Sequence, residues 1–599
     1  MLGGVCLAGT NALGMTIPWL LKSAVDALRA LHPEAATVRE AAAAAFRVVA
    51  RDAGWIALAA IGQAAIRTVS RVLIFNAGRN IEFGLRRDLF RHLCRLDPGF
   101  YRRNATGDVM SRMTNDLSAV RMLFGPGILN VANTLMVYTV GIWLLTHLNP
   151  RLTVIALVPY PALIFAARLW SRRIYSSSRA MQEQLGTLST TLQEDLAGIA
   201  VVKNYCLESQ RQAGFARQSQ VYLDCALSLA RTRGSLTPLF AVIGAMGTLI
   251  VLWAGGREVI AGRMTLGALV AFNAYLAYLS FPTIALGWIL AVWQRGLAAW
   301  VRVRDLLATE PAITDPATDF QANSGAQSSA PPAPTPTRPA PSEAPAAASL
   351  RIRALSWAQD DRTILDRVSL EIPAGGTLAI VGPTGSGKTT LVDAVPRLWN
   401  VPPGTVFVGD RDVHDLPLAT LRSMIGYAPQ EAFLFSASVS ENVAFGIPAG
   451  VPLEERTERV ANAVLAAGLG PDLAILPHGI DTVVGERGIT LSGGQRQRVA
   501  LARALATSPR ILILDDSLSS VDAQTERDIL SRLRPILRGR TSILVSHRVA
   551  AVREADQIVV LDAGRIAERG THDELLALQG VYATLYREQL AAEALGSDP

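Results

Sequence analysis

Leu378-Ala379-Ile380-Val381 runs directly into Gly382-Pro383-Thr384-Gly385-Ser386-Gly387-Lys388-Thr389-Thr390, and this stretch decides the fold of the second half of the chain. Four apolar residues in a row read as a strand buried on both faces. The glycine-rich turn after it fits G-x-x-x-x-G-K-[ST], a P-loop. Glycines let the backbone wrap a polyphosphate, and the amide N–H groups at the start of the following helix attract anions. Gly382, Pro383, Thr384, Gly385, Ser386, Gly387, Lys388, Thr389 and Thr390 are the candidate phosphate cradle. Lys388 is placed for the β- and γ-phosphates and Thr389 for Mg²⁺. Only three lysines occur in the chain, Lys22, Lys203 and Lys388, and the last is the sole lysine after residue 310.

Working outward, Ile511-Leu512-Ile513-Leu514-Asp515 is a second buried strand, ending in a carboxylate suited to Mg²⁺ or its water. Leu491-Ser492-Gly493-Gly494-Gln495 lies between the two strands and opens another helix with an anion-attracting N-terminus. From residue 350 to 599 the expectation is therefore an α/β nucleotide-binding domain.

The first half reads differently. The 599 residues are 50% hydrophobic and 18% charged, with net charge +7 and mean hydropathy +0.28. Residues 1–310 hold 31 Lys and Arg against 17 Asp and Glu, whereas residues 311–599 hold 26 against 33. A disordered polyampholyte, a collagen-like chain and a disulfide scaffold are excluded by these figures. The basic excess belongs to one half and does not indicate a nucleic-acid partner. Residues 1–21 carry no charge, enough to cross a bilayer core of about 30 Å. Five more apolar stretches follow near 54–77, 127–148, 152–170, 236–253 and 266–292. Six spans make an α-helical transmembrane domain over 1–310 with both termini on one side. The loops near 78–125 and 171–235 are rich in Arg, so the positive-inside rule puts them, both termini and the nucleotide domain in the cytoplasm. Their helical periodicity extends the helices beyond the membrane.

Arg67 and Arg71 fall inside the second span, four residues apart and so on one helix face. Either they line a substrate pathway, or the helix tilts and they snorkel to the membrane surface. Asn11, Trp143 and Tyr275 are candidate cavity contacts, with lipid-facing or helix-packing roles as the alternative. Cys6, Cys94, Cys206 and Cys225 are widely spaced and read as reduced packing residues. Residues 311–349, with Pro331, Pro332, Pro334, Pro336, Pro339, Pro341 and Pro345 among Ala, Ser and Thr, read as an extended linker.

Together the motifs resemble the ATP-binding cassette superfamily, and with the spans in front, the bacterial type I exporter half-transporters of the multidrug-resistance-like, MdlA-type group. The resemblance covers nearly the whole chain. Gln430 in Tyr427-Ala428-Pro429-Gln430 matches the Q-loop, and Gly485-Glu486-Arg487-Gly488 the X-loop. Ser519-Ser520-Val521-Asp522 matches the D-loop and Ser546-His547-Arg548 the H-loop. Tyr101-Arg102-Arg103 with Thr106-Gly107-Asp108, and Gly198 to Lys203, resemble the two coupling-helix regions. The resemblance implies ATP and Mg²⁺ as cofactors, with Thr389, Gln430 and Asp515 around the metal and His547 at the γ-phosphate. It implies a second half-transporter as partner, whose P-loop would face Ser492, Gly493, Gly494 and Gln495 of this chain. It also implies a bacterial cytoplasmic membrane location, contact with membrane lipids and export of an amphipathic small molecule.

Three features depart from the family pattern. Asp516 stands where working members carry Glu as general base. Its carboxylate falls about 1.5 Å short, and a misplacement of about 1 Å can cost about 10²-fold. The expectation is a chain whose own site binds ATP and hydrolyses it slowly, paired with an unlike partner. The alternatives are a homodimer that uses Asp516 as its base, or an ATP-gated regulator or channel. At the adenine-stacking position the run Trp357-Ala358-Gln359 places Gln359 where the family has an aromatic ring. Trp357 then either packs into the core or turns toward the base. Finally, the sequence starts inside an apolar stretch, so either the amphipathic helix that usually precedes span one is missing or the true start lies upstream of Met1.

Overall fold

The computed structural model describes residues 2–30, 38–315, 347–359, 362–485, 491–548 and 552–596. The expected linker lies for the most part outside these residues, and so does the X-loop after Gly485. The chain divides into two compact units. One is Met1–Cys94 with Ala105–Thr309, and the other is Arg95–Asn104 with Glu310–Pro599.

The first unit is helical. Its long segments are Leu2–Ala30, Val38–Leu93, a run from Thr106 to Leu148, Pro159–Ala197, Glu208–Ile250 and Leu266–Leu307. Among the described residues four helices are long and apolar enough to cross a membrane: Leu2–Arg29, Phe46–Leu93, Thr106–Leu148 and Leu266–Leu307. The expected spans at 152–170 and 236–253 fall on helical segments that include side chains outside those described. At about 1.5 Å per residue, the 56-residue helix Val38–Leu93 is far longer than a bilayer is thick.

Local chemistry sets the ends of these helices. Asn149 Oδ1 accepts from the Leu152 amide at 3.0 Å, with Pro150 in the first turn, and so starts a new helix after a short turn. Thr265 caps the last helix by accepting from the Ala268 amide, and its hydroxyl donates to Asp26 of the first helix at 2.9 Å. Two π-helical turns, Arg112–Asp116 and Leu123–Gly127, interrupt the Thr106–Leu148 run. At the first of them, Asp116 takes a bidentate pair of bonds from Arg302 at 2.8 and 2.6 Å. The apolar centre gathers Met15, Leu145, Leu152, Phe272 and Leu279.

Tyr275 takes the helix-packing alternative: it is fully buried, its hydroxyl donates to the Met15 carbonyl at 2.7 Å, and it is not among the residues lining the membrane cavity. One expectation is corrected here. The cysteines are free, as expected, but Cys94 and Cys206 are exposed and the other two only half-buried. Cys94 follows directly on the end of the Val38–Leu93 helix, and Cys206 sits in a turn with φ 53°.

The second unit carries two sheets. The smaller is antiparallel, in the order β2-β1-β4-β5, with β1 Leu350–Gln359, β2 Arg362–Ile372, β4 Val406–Val408 and β5 Arg411–Asp412. The larger has the order β10-β9-β3-β8-β7-β6, with β3 Thr377–Val381, β6 Ile425–Ala428, β7 Ile511–Asp515, β8 Thr541–Val545, β9 Gln557–Asp562 and β10 Arg565–Gly570. Its strands pair in parallel except for β10. Both faces of β7 are covered, as a continuous apolar run requires. Ile511 and Ile513 join one core cluster, while Leu512 and Leu514 join another on the opposite face. The parallel order brings the C-terminal ends of β3 and β7 to one edge, where the P-loop and Asp515 lie.

Candidate nucleotide site

The P-loop takes shape from backbone that only glycine tolerates. Gly382 has φ 149°, and a Cβ there would meet the Leu561 carbonyl oxygen at 2.0 Å. Gly387 has φ 99°, and its Cβ would press on the Ile364 carbonyl at 3.0 Å. The six-residue helix Lys388–Asp393 begins immediately after it. Lys388 is buried, and its ammonium donates to the carbonyls of Gly382 at 2.9 Å and Pro383 at 2.8 Å. Burial lowers its pKa, opposed by the nearby carboxylates of Asp516 and Asp515.

Asp515 is 1% exposed. Burial pushes its pKa up to about 6, with Asp393 and Asp516 adding to the rise, while a hydrogen bond from Thr389 and one from Tyr427 counter it. Its Oδ1 has no hydrogen-bond partner. A buried orphan oxygen beside the Thr389 hydroxyl is the donor set that a hard cation takes. The residues therefore fit Mg²⁺, with Thr389 and Asp515 to hold it.

Asp516 has the left-handed φ of 44° and its amide donates to the Val545 carbonyl at 2.9 Å. His547 has its pKa lowered by burial and by Lys388, against an opposing pull from Asp516. Lys388, Asp515, Asp516 and His547 thus feel one another's charge at one edge of the sheet. A cavity of about 470 Å³ over the loop is lined by Thr384, Gly385, Gly387, Lys388, Thr389 and Thr390, together with Gln430 and His547.

Trp357 is not among that cavity's lining residues. It packs on Trp399 with ring centroids 4.8 Å apart, against the core of the smaller sheet. Arg362, Thr363 and Ile364 border the cavity on that side instead.

Ser492, Gly493, Gly494 and Gln495 form the start of the helix Gly493–Ala506 through a capping box. Ser492 Oγ accepts from the Gln495 amide, and the Gln495 side chain accepts from the Ser492 amide. None of the four lines the P-loop cavity. They adjoin the 519–522 segment of this same chain. A Cβ on Gly494 would lie 2.9 Å from the Ser520 carbonyl oxygen. Gln497 donates to Ser519 Oγ at 2.9 Å and accepts from the Ser520 amide.

Three residues at the site carry contacts that sequence reasoning missed. The Tyr427 hydroxyl donates to Asp393 at 2.9 Å and reaches Asp515 at 3.5 Å, so it buttresses the candidate metal ligand. Arg548 donates to the carbonyls of Val521 and Ser519 and pairs with Glu526, binding the histidine loop to the 519–522 segment. Gln497 is the third. Tyr427 and Arg548 adjoin recognised motifs, which was the only signal available.

Comparison with known proteins agrees with this arrangement. Residues 1–283 match the family described as the ABC transporter transmembrane region, and residues 365–519 the family described as ABC transporter. The chain is 35% identical over 549 residues to the multidrug resistance-like ATP-binding protein MdlA of Escherichia coli K12, covering 91% of this chain and 89% of that protein. A solved bacterial Atm1-family ABC exporter with ATP bound superposes with a TM-score of 0.75 at 27% identity, over 98% of each chain. The chain is a bacterial type I ABC exporter half-transporter. The exporter is also 31% identical over 528 residues to the ATP-dependent lipid A-core flippase of Syntrophus aciditrophicus, covering 88% of this chain and 83% of that one. It is a multi-pass inner-membrane protein with an ATP-binding cassette coupled to transport, of the multidrug or lipid exporter type.

Proposed function

We propose that this exporter is one half of a heterodimer and carries the hydrolysis-impaired site. Asp516 carries the reading. It lies within the electrostatic reach of Lys388 and His547, with one methylene less than the glutamate of working members. The left-handed backbone at this position and its amide bond to Val545 fix where the side chain starts, so a shorter side chain is not easily offset by a shift of the main chain.

In this proposal Lys388 exchanges its two loop carbonyls for phosphate oxygens, and the loop amides take the remaining charge. Thr389 and Asp515 hold Mg²⁺, which supplies charge neutralisation between the phosphates. Gln430 reaches from the edge of the cavity toward the metal and the water, and His547 toward the γ-phosphate. The Ser492–Gln495 turn, which does not line this chain's own P-loop cavity, completes the site on the partner's P-loop. ATP-driven closure of the two cassettes switches the membrane domain between inward-facing and outward-facing states, and amphipathic substrate is exported or flipped. Both termini and the cassette are cytoplasmic in this reading, as the loop arginines indicate.

Steady-state ATPase of the purified chain tests it. Wild type alone is expected to bind ATP and turn over slowly, and Asp516→Glu to raise turnover by about 10²-fold. Robust wild-type turnover lost on Asp516→Asn would instead make the chain a homodimer that uses Asp516 as its base.

A further inference from the structure

We propose that the membrane unit takes amphiphiles with an anionic headgroup, held by Arg67 and Arg71; this rests on the export reading and narrows its substrate. A cavity of about 580 Å³ lies among the helices Leu2–Ala30, Val38–Leu93, Ile128–Leu148 and Leu266–Leu307. That volume suits a drug-sized ligand. Both arginines line it, together with Asn11, Asn130, Asn133 and Tyr278. The sequence left open whether the two arginines snorkel away from the apolar layer. Arg67 instead lies at the middle of the apolar 54–77 stretch and opens into the cavity.

Charge balance then decides what the cavity accepts. Among the described residues neither Arg67 nor Arg71 makes a hydrogen bond or ion pair, and no carboxylate lines the cavity. The sequence accounts for this. No Asp or Glu occurs in residues 1–25, 53–81, 117–182 or 259–304, which contain the cavity-lining stretches of all four helices. Some other arginines of the unit are matched, as Arg121 is by Glu82 at 3.0 Å and Arg302 by Asp116. Two guanidinium groups one helical turn apart, without a counter-ion, are costly at membrane depth unless a ligand neutralises them. Their planar forks suit a carboxylate or phosphate, which accepts two parallel bonds from each. Several neighbouring donors are already engaged. Asn11 donates to the Leu7 carbonyl, Asn130 to Pro126, and Ser70 to Gly3. The positive charge that lines the cavity is therefore supplied by the two arginines, with Asn133 and Tyr278 as further polar groups. The remaining wall, including Leu7, Leu129, Val137 and Ala277, is apolar and takes a hydrocarbon tail.

The test uses the full chain in neutral maltoside detergent and three fluorescent amphiphiles that share one acyl tail. Their heads are a phosphate monoester, an uncharged sugar and a trimethylammonium. By anisotropy, the phosphate probe is expected to bind at least tenfold more tightly than the trimethylammonium probe. Arg67→Gln with Arg71→Gln removes that preference and leaves the cation probe bound no more weakly. Arg67→Lys with Arg71→Lys keeps it, and binding of a fluorescent ATP analogue reports that each variant is folded. Inorganic phosphate at equal concentration is expected not to compete; full displacement by it would reassign the site to a small anion and overturn the proposal. Equal affinity for all three heads, or no effect of the Gln pair, also overturns it. If none of the probes binds or is moved by ATP in vesicles, the export reading falls too. ATP-driven movement without headgroup preference removes only the present inference.

Discussion

Lys388 is a buried cation of the cassette, and Arg67 and Arg71 are two cations that line a cavity of the membrane unit. Lys388 has two carbonyls at hydrogen-bond distance and two carboxylates nearby, all from its own unit. Arg67 and Arg71 have no such partners among the described residues. The cassette thus carries its own electrostatic balance and is ready for a ligand of fixed chemistry. The membrane cavity leaves positive charge unmatched, so the ligand itself must complete the balance. The difference suits the two tasks, since the nucleotide is common to the family whereas the transported molecule varies.

The sharpest way to break this contrast is Lys388→Ala. It is expected to weaken ATP binding on the order of 10³-fold, since the lost bonds to charged phosphate are worth about 1.5–3 kcal/mol each. Binding of the amphiphile probes should not change. Titration with a fluorescent ATP analogue measures the first effect, and a parallel loss of amphiphile binding would contradict the separation.

A smaller effect concerns the acid beside Lys388. Burial pushes the Asp515 pKa up to about 6, and only its ionised form would ligate Mg²⁺. Above pH 6 the carboxylate is charged and the metal's contribution to ATP affinity is present. Below pH 6 it is protonated, and that contribution should fall by about tenfold per pH unit. Tyr427→Phe removes a bond that favours the ionised form, so it should move the midpoint upward. An ATP titration with and without Mg²⁺ at pH 5 to 8 reads both.

Stability tests the membrane side. Asp116→Ala leaves Arg302 without its bidentate partner and should cost about 1–2 kcal/mol, seen as a lower apparent Tm. Arg67→Gln with Arg71→Gln breaks no bond and should leave Tm unchanged or raised. A drop as large as that of Asp116→Ala would show that the two arginines are matched within the chain.

The smallest expected effect is at Trp357. Trp357→Ala should change ATP affinity by less than about twofold while lowering cassette stability, since the ring packs on Trp399. A large loss of affinity with little loss of stability would return Trp357 to the adenine site.

The legible and illegible parts of the exporter divide by range. Gly382 to Thr390, Asp515 and the Ser492–Gln495 turn are local patterns in which backbone conformation and side-chain chemistry sit within a few residues. They could be assigned as they stood. Tyr427 gave no such signal, because its bonds to Asp393 and Asp515 span 34 and 88 positions. Tyr275 stood open between cavity, lipid-facing and helix-packing roles until its bond to the Met15 carbonyl, 260 positions away, placed it between helices. The exposure of Cys94 and Cys206 likewise follows from where the helices end, which residue type does not encode.

By itself the sequence determined that an apolar helical half precedes a nucleotide-binding half, that the cradle is a P-loop, and that Asp516 is one methylene short. These depend on periodicity, hydropathy and residue identity at fixed spacing, which are properties of the chain. Only the tertiary structure decided that Arg67 and Arg71 open into a cavity without counter-ions among the described residues, that Asp515 keeps an orphan oxygen beside Thr389, and that Trp357 packs inward. Each of these depends on which residues from distant segments fill the space around a side chain. Burial and charge balance are set by that packing, and no local pattern carries them.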